Sequence, residues 1–349
     1  MNFLPLGYFL IIFVFAAPAL ACPPTEKNKL KNDIDSVPDH FTVEKELNTP
    51  PPTLPPVPAH LYNNQFKVLV LGGGYSPSGN QLSLESNVKY FRKVQNAIGL
   101  GNTSTQVYFA DGKEKGRDLQ IFDPKFEVPQ VNLIFAELFG KIKGIANQYR
   151  SNQLNPDGPS SIISLNNWFN SQKTITGNQQ NIIYFTGHGG KGSNKNPNNT
   201  TMYLWDNQKL NVSDFVKKLD LLPIQQSTIL IMVQCYSGGF ANVIFNEGDP
   251  KKGLSDHPRA GFFATVKDRV AAGCTPDIRE KNYREYSTRF WEGLCGESRV
   301  GKKIKKSDFD KDGKTSLAEA HAYVIIKSET IDIPIKTSGV LLRRFSSLT

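Results

Sequence analysis

Two short stretches of this 349-residue chain carry the residue types of covalent chemistry. One is Gly187-His188-Gly189-Gly190, the other Gln234-Cys235-Tyr236-Ser237-Gly238-Gly239. A thiol becomes a strong nucleophile when an imidazole takes its proton, and the imidazolium can then protonate a leaving amine. The tetrahedral intermediate of such an acyl transfer carries an oxyanion that needs fixed donors; the backbone N–H groups of Gly189 and Cys235 are the candidates. The glycines around both residues leave room for a substrate backbone. Taken singly, a histidine in a glycine-rich turn is a turn residue, and a cysteine closing an apolar strand is a small buried hydrophobe. Placed together at strand ends, Cys235 and His188 read as nucleophile and acid/base. The other histidines compete poorly: His40 and His60 lie in a proline-rich stretch, His257 in a polar loop and His321 after an acidic loop. No Cys/His spacing supplies three or four zinc ligands.

A second motif, Asp308-Phe309-Asp310-Lys311-Asp312-Gly313-Lys314-Thr315-Ser316-Leu317-Ala318-Glu319, fits the twelve-residue EF-hand calcium loop at every key position. Asp308, Asp310 and Asp312 supply carboxylates and Lys314 its carbonyl. Ser316 acts directly or through water, Glu319 is bidentate, and Gly313 permits the sharp turn. Residues 318–326 follow as the exiting helix. The entering segment is a poor helix and no second loop is present, so a structural clip is expected rather than a sensor. No organic cofactor is indicated.

These residues need a scaffold. Phe66–Leu71 is a short β-branched apolar run ended by Gly72-Gly73-Gly74, and Leu84, Val88, Phe91, Val94 and Ile98 recur at helical spacing. Further runs at Val107–Ala110, Ile182–Phe185, Ile229–Val233 and Phe262–Val266 read as strands, with helices over 131–149 and around Val212, Phe215, Val216 and Leu219. Strands alternating with helices predict an α/β fold with a mainly parallel sheet covered on both faces. Ligands bind outside the carboxyl ends of such strands, where both His188 and Cys235 fall.

Other motifs fail. The Gly72-Gly73-Gly74 run lacks the third glycine of a dinucleotide fingerprint, since residue 77 is Pro77, and lacks the lysine of a phosphate loop. The run Lys302-Lys303-Ile304-Lys305-Lys306 has no interleaved aromatics, so nucleic acid is not an expected partner. Lys+Arg 41 against Asp+Glu 32 gives +9, which permits an acidic partner without requiring one. With 39% hydrophobic residues and four cysteines the chain is neither wholly disordered nor a disulfide miniprotein.

Residues 3–17 are almost entirely apolar and run into Ala19-Leu20-Ala21, a small-x-small cleavage pattern. Residues 1–21 therefore read as an export signal, the alternative being a retained membrane anchor. Cys22 follows the cleavage site and is open to lipid attachment, a disulfide or neither; a membrane association would run through this lipid or that anchor. Residues 22–62, with Pro50-Pro51-Pro52 and Pro55-Pro56, read as a linker or pro-segment. The peptidase domain is set at 63–300, the calcium loop and helix at 301–330 and a C-terminal segment at 331–349. Cys274 and Cys295 either form a disulfide, as an exported protein allows, or stay buried and unjoined, and Asn102, Asn199 and Asn211 begin glycosylation sequons if the source is eukaryotic.

Tyr184-Phe185-Thr186-Gly187-His188-Gly189 and Gln234-Cys235-Tyr236-Ser237-Gly238 resemble the legumain and caspase cysteine peptidases, the legumain side more closely. The order, His 47 residues before Cys, is the caspase-type order. The resemblance covers roughly residues 66–295 and implies a caspase-like three-layer α-β-α sandwich with a Cys235–His188 dyad. It puts Asn80, Thr265 and Ser287 at the substrate pocket. Two departures matter. Legumains place an asparagine after the first strand to orient the histidine, where this chain has Gly73 and Gly74, with Asn80 as the nearest substitute. The stretch Asn80-Gln81-Leu82-Ser83 lacks the basic residue of the specificity pocket, so cleavage after Asp or Asn is not carried over. The resulting expectation is an exported cysteine endopeptidase acting on a peptide or protein substrate. The alternatives are a catalytically inactive calcium-dependent binding protein and a transpeptidase using the same dyad.

Overall fold

In the computed structural model the described residues are 66–346, apart from 176 and 306. The expected export signal, the linker and Cys22 lie outside them. The elements in chain order are β1 (Phe66–Gly72), α1 (Leu82–Ala97), β2 (Ser104–Phe109), β3 (Leu119–Ile121), α2 (Gln130–Leu138), β4 (Gln148–Arg150) and α3 (Ile162–Gln172). Then come β5 (Gln180–Thr186), β6 (His188–Gly190), β7 (Thr201–Tyr203), β8 (Lys209–Asn211), α4 (Val212–Leu219), β9 (Ser227–Met232) and β10 (Arg259–Phe263). The chain closes with α5 (Tyr286–Cys295), α6 (Leu317–Lys327), β11 (Ile335–Lys336) and α7 (Thr337–Arg343).

The central sheet has the order β11-β10-β9-β5-β1-β2 and is parallel except for β11. Its inner strands alternate between two apolar cores, because successive side chains point to opposite faces. Val68, Val70, Ile182, Tyr184, Ile229 and Ile231 meet α1, α5 and α6 on one side. Leu69, Leu71, Ile183, Phe185, Leu230 and Met232 meet α3 and α4 on the other. Burial on both faces explains why these strands read as unbroken apolar runs. The result is an α-β-α sandwich around a mainly parallel sheet, as the sequence predicts.

From β1 the chain moves outward to β2 over one face, then returns to β5 on the other side of β1 and goes on to β9 and β10. This reversal opens a crevice at the carboxyl ends of β1 and β5, where open α/β sheets bind ligands.

The expected fifth strand is shifted: β10 spans Arg259–Phe263, so Ala264, Thr265 and Val266 lie past its end. The expected long helix over 131–149 stops at Leu138, Gly140 follows with positive φ, and no residue of α2 is buried. The chain beyond residue 300 is not an appendage. Leu317, Ala320 and Val324 of α6 share a core with Phe290, Trp291 and Leu294, and β11 pairs with β10. Among the described residues no helix is long and apolar enough to cross a membrane.

Trp291 joins α5 to the sheet. It is 2% exposed, with ring centroids 4.9 Å from Phe91 and 5.1 Å from Tyr184. Trp291→Ala is expected to destabilise the fold by about 3–5 kcal/mol, read as a lower urea midpoint; a loss well under about 1 kcal/mol would contradict this packing.

Candidate active site

Phe185 of β5 pairs with Met232 of β9, and His188 and Cys235 each lie three residues beyond that pair. Equal offset on adjacent parallel strands, about 4.8 Å apart, brings the two segments to one place at the sheet's rim. They touch there, since a Cβ on Gly189 would collide with the Cys235 carbonyl.

His188 is held from the β1 side. Its Nε2 lies 2.7 Å from the Gly79 carbonyl and 3.0 Å from Gln81 Oε1, while Gln81 Nε2 donates to the Ser78 carbonyl. Carbonyl oxygens only accept, so Nε2 carries the proton of the neutral ring and Nδ1 is left as the basic nitrogen. The Tyr75 ring stands edge-on at 5.3 Å. Burial lowers the imidazole pKa from its usual 6.5, partly opposed by the Gly79 hydrogen bond. Asn80, expected as the orienting residue, does not touch the ring; the residues on either side of it do. The reason is the tight turn at Pro77–Gly79, which points the Gly79 carbonyl outward and folds the Asn80 side chain inward.

Cys235 is followed by Tyr236 at φ 58, a left-handed conformation that costs a non-glycine residue free energy and breaks the chain away from the strand. The Tyr236 N–H donates to the Arg269 carbonyl at 2.8 Å. The thiol sulfur accepts from the Ala271 N–H at 3.3 Å and lies 3.9 Å from the Ala271 carbonyl. Among the described residues no hydrogen bond joins it to His188. Burial raises the thiol pKa above 9, the Ala271 amide and the residue's own N–H oppose this, and the Asp332 carboxylate adds to it. Burial thus acts on both groups in the direction of their uncharged forms.

Residues 269–278 form a strap across this rim. Ala272 N–H donates to Asp332 at 2.7 Å, Thr275 exchanges hydrogen bonds with Ser83, and Phe122 N–H donates to the Pro276 carbonyl. Cys274 lies on the strap with its sulfur 4.0 Å from the Gly187 carbonyl, whereas the Cys295 sulfur sits 3.2 Å from the Glu297 carbonyl. The two sulfurs lie in different surroundings and are not joined to each other, so of the two readings the sequence left open the structure has the one without a disulfide between them.

Of the expected oxyanion donors, the Cys235 N–H faces its own sulfur and Gly189 lies on β6, paired with β7. The glycines after the nucleophile serve the chain rather than a substrate: a Cβ on Gly238 would press on the backbone of residues 265–267, and one on Gly239 on Thr200. The three expected pocket residues need correction. Asn80, Thr265 and Ser287 are fully buried with their side-chain polar atoms engaged, Asn80 by Gly74 and Asp118, the Thr265 hydroxyl by the Ile333 N–H and Ser287 by Tyr184. Gln234 is the polar side chain that the pocket reading missed. It is 1% exposed, lies against Gly189, and neither atom of its amide has a partner.

In the acidic loop, Asp308, Asp310 and Asp312 bring carboxylate oxygens within 4.8 Å of one another. Asp308 Oδ2 accepts from Gly313 N–H, while its Oδ1 is buried without a partner. Gly313 and Lys311 take the positive φ values of a tight loop. A hard cation suits this donor set, with the Lys314 carbonyl as a further oxygen. Glu319 is otherwise engaged. Its Oε1 accepts from the Phe309 and Asp310 N–H groups, and its Oε2 from the N–H and hydroxyl of Ser316 in a capping box at the start of α6. The expected bidentate Glu319 and the Ser316 ligand thus face the backbone and each other.

No family model matches the chain, and no curated protein matches it. Solved structures resemble it at low identity. A protein of Geobacter sulfurreducens has a TM-score of 0.43 and 8% identity, covering 77% of this chain and 92% of that one. Caspase-1 of Spodoptera frugiperda has a TM-score of 0.40 and 8% identity, covering 78% and 87%. The Drosophila initiator caspase Dronc has a TM-score of 0.31 and 9% identity, covering 67% and 64%.

Proposed function

We propose that this chain is an exported cysteine endopeptidase of caspase-like fold, with a structural calcium site at Asp308–Glu319. The observation that carries this reading is the equal offset of His188 and Cys235 past paired residues of β5 and β9, with His188 Nε2 fixed by the Gly79 carbonyl. His188 Nδ1 takes the Cys235 S–H proton as the sulfur attacks a peptide carbonyl. The Gly189 N–H, joined by the Cys235 N–H once it turns from its own sulfur, receives the oxyanion, and the same proton passes to the leaving amine. Water, deprotonated by Nδ1, then hydrolyses the thioester. For this the Ala271 amide must leave the sulfur, so the strap yields to substrate. The unpartnered Gln234 amide offers an uncharged donor and acceptor to a substrate side chain. A bound cation neutralises and holds the carboxylates of Asp308, Asp310 and Asp312.

A second reading, a catalytically silent calcium-dependent binding protein, draws support from the thiol's hydrogen bond to Ala271 and its raised pKa. A thiol-reactive peptide probe separates the two, because only a working dyad labels Cys235 rapidly near neutral pH.

Cys235→Ala is expected to abolish peptide cleavage with an unchanged melting temperature; retained cleavage removes the proposal. The imidazole works unprotonated and its pKa is lowered, so the acid limb of kcat/KM is expected below pH 6.5, with the thiol's own limb above pH 9. An acid limb above 6.5 contradicts the buried, neutral His188.

Calcium at ~100 times its dissociation constant is expected to stabilise the chain by about 2.7 kcal/mol, read as a rise in melting temperature. Asp308→Ala should remove both that rise and the heat of calcium titration. An equal rise in the variant places calcium elsewhere.

A further inference from the structure

The loop that holds His188 is itself held by a buried carboxylate. Between β1 and α1 the chain turns at Pro77–Gly79, with Gly79 N–H donating to Ser76 and Asn80 N–H to Pro77. Gly74 and Gly79 are so close that a Cβ on Gly74 would strike the Gly79 carbonyl, the group that accepts from His188 Nε2. Asn80 fills the inside of this loop at 0% exposure. Its Oδ1 accepts from Gly74 N–H at 3.0 Å, its Nδ2 donates to Asp118 Oδ2 at 2.9 Å, and its carbonyl accepts from Gln120 N–H at 2.7 Å.

We propose that Asp118 is a positioning residue for the reaction at Cys235 and His188, acting through Asn80 on the Gly79 carbonyl. This rests on the peptidase reading for its kinetic consequence only. An amide has two ends of opposite polarity; the Gly74 N–H asks for its oxygen and the Asp118 carboxylate for its N–H, so the two together hold one orientation. An ionised carboxylate only accepts, so it draws Nδ2 to itself and turns Oδ1 toward the Gly74 N–H. The orientation of one amide thus fixes the spacing of Gly74 and Gly79, and with it the aim of the Gly79 carbonyl at His188.

Asp118 is 4% exposed, and its second oxygen has no partner. Asp111 and Glu85 stand near as further carboxylates, Glu85 being occupied by Arg150 and Lys89. Burial raises the Asp118 pKa, and the residue's own N–H and the Asn80 amide oppose this, so the Asn80 hydrogen bond favours the charged form. Among the described residues Asp118 forms no ion pair, and the side chain that donates to it is Asn80.

The test is a polarity swap. Asn80→Asp sets two carboxylates face to face and is expected to lower kcat by ~100-fold with KM within about twofold. Asp118→Asn can still accept from Asn80 through its carbonyl and should stay within about threefold of the parent. The double variant N80D/D118N restores a donor facing an acceptor and should recover kcat to that same level. A substrate-free measurement runs beside it: ¹⁵N NMR of the His188 ring, expected to show the proton on Nε2 in the parent and in the double variant, and a mixture of tautomers in Asn80→Asp. Should Asn80→Asp not fold, Asn80→Ser serves, since its hydroxyl is too short to span Gly74 and Asp118. The proposal is overturned if the His188 tautomer is unchanged in a folded position-80 variant, or if the folded double variant recovers neither rate nor tautomer. If no variant, parent included, cleaves peptide, the peptidase reading fails while the NMR result still decides the brace.

Discussion

The chemistry available at this site depends on one hydrogen bond, from His188 Nε2 to the Gly79 carbonyl. A peptide oxygen has no proton to give, so the bond fixes both the ring's orientation and its tautomer. A histidine free to rotate on the β5 end would present either nitrogen, and half of its time would be lost to the wrong one. The parallel register places the backbone of residues 188 and 235 side by side, and the carbonyl converts that closeness into a directed base. The loop after β1 therefore sets the surroundings of His188.

Burial sets the electrical character of the pair. It acts on both groups in the direction that removes charge, lowering the imidazole pKa and raising that of the thiol. Neither group meets an opposite charge that would reverse this. Asp332, the carboxylate near the thiol, works against ionisation of the sulfur. A preformed thiolate–imidazolium pair would need the reverse arrangement. Burial thus favours the uncharged form of both groups, and the Ala271 N–H is an amide donor already aimed at the sulfur.

Much of the frame was legible in the sequence because burial on both faces leaves a direct trace: β1, β5 and β9 are apolar without alternation, and α1 repeats at helical spacing. His188 and Cys235 stood out because a side chain that does chemistry must be of a particular type. The Gly79 carbonyl did not, since every residue carries one and only the fold says where it points. Asn80 was singled out for the right loop and the wrong contact. Thr265 and Ser287 were placed at a pocket by likeness of flanking segments, yet both serve internal hydrogen bonds. The overlong helix near α2 reflects apolar spacing that continues past Gly140, where positive φ ends the helix in three dimensions.

The chain after residue 300 shows why a boundary drawn on motif content misleads. The acidic loop looks like a module, but α6 packs on α5, and Asp332 reaches back to the Ala272 and Tyr286 N–H groups. Ala272 is the neighbour of the residue whose amide rests on the Cys235 sulfur. Thr330 and two backbone amides satisfy the Asp332 carboxylate, which is mostly buried, so it is not free to exchange these partners for water. Removing the C-terminal segment would leave the strap without its peg and strip β10 of its edge strand. The surroundings of Cys235 are thus assembled from both ends of the described chain, the loop after β1 orienting His188 and the C-terminal segment setting the strap beside the Cys235 sulfur.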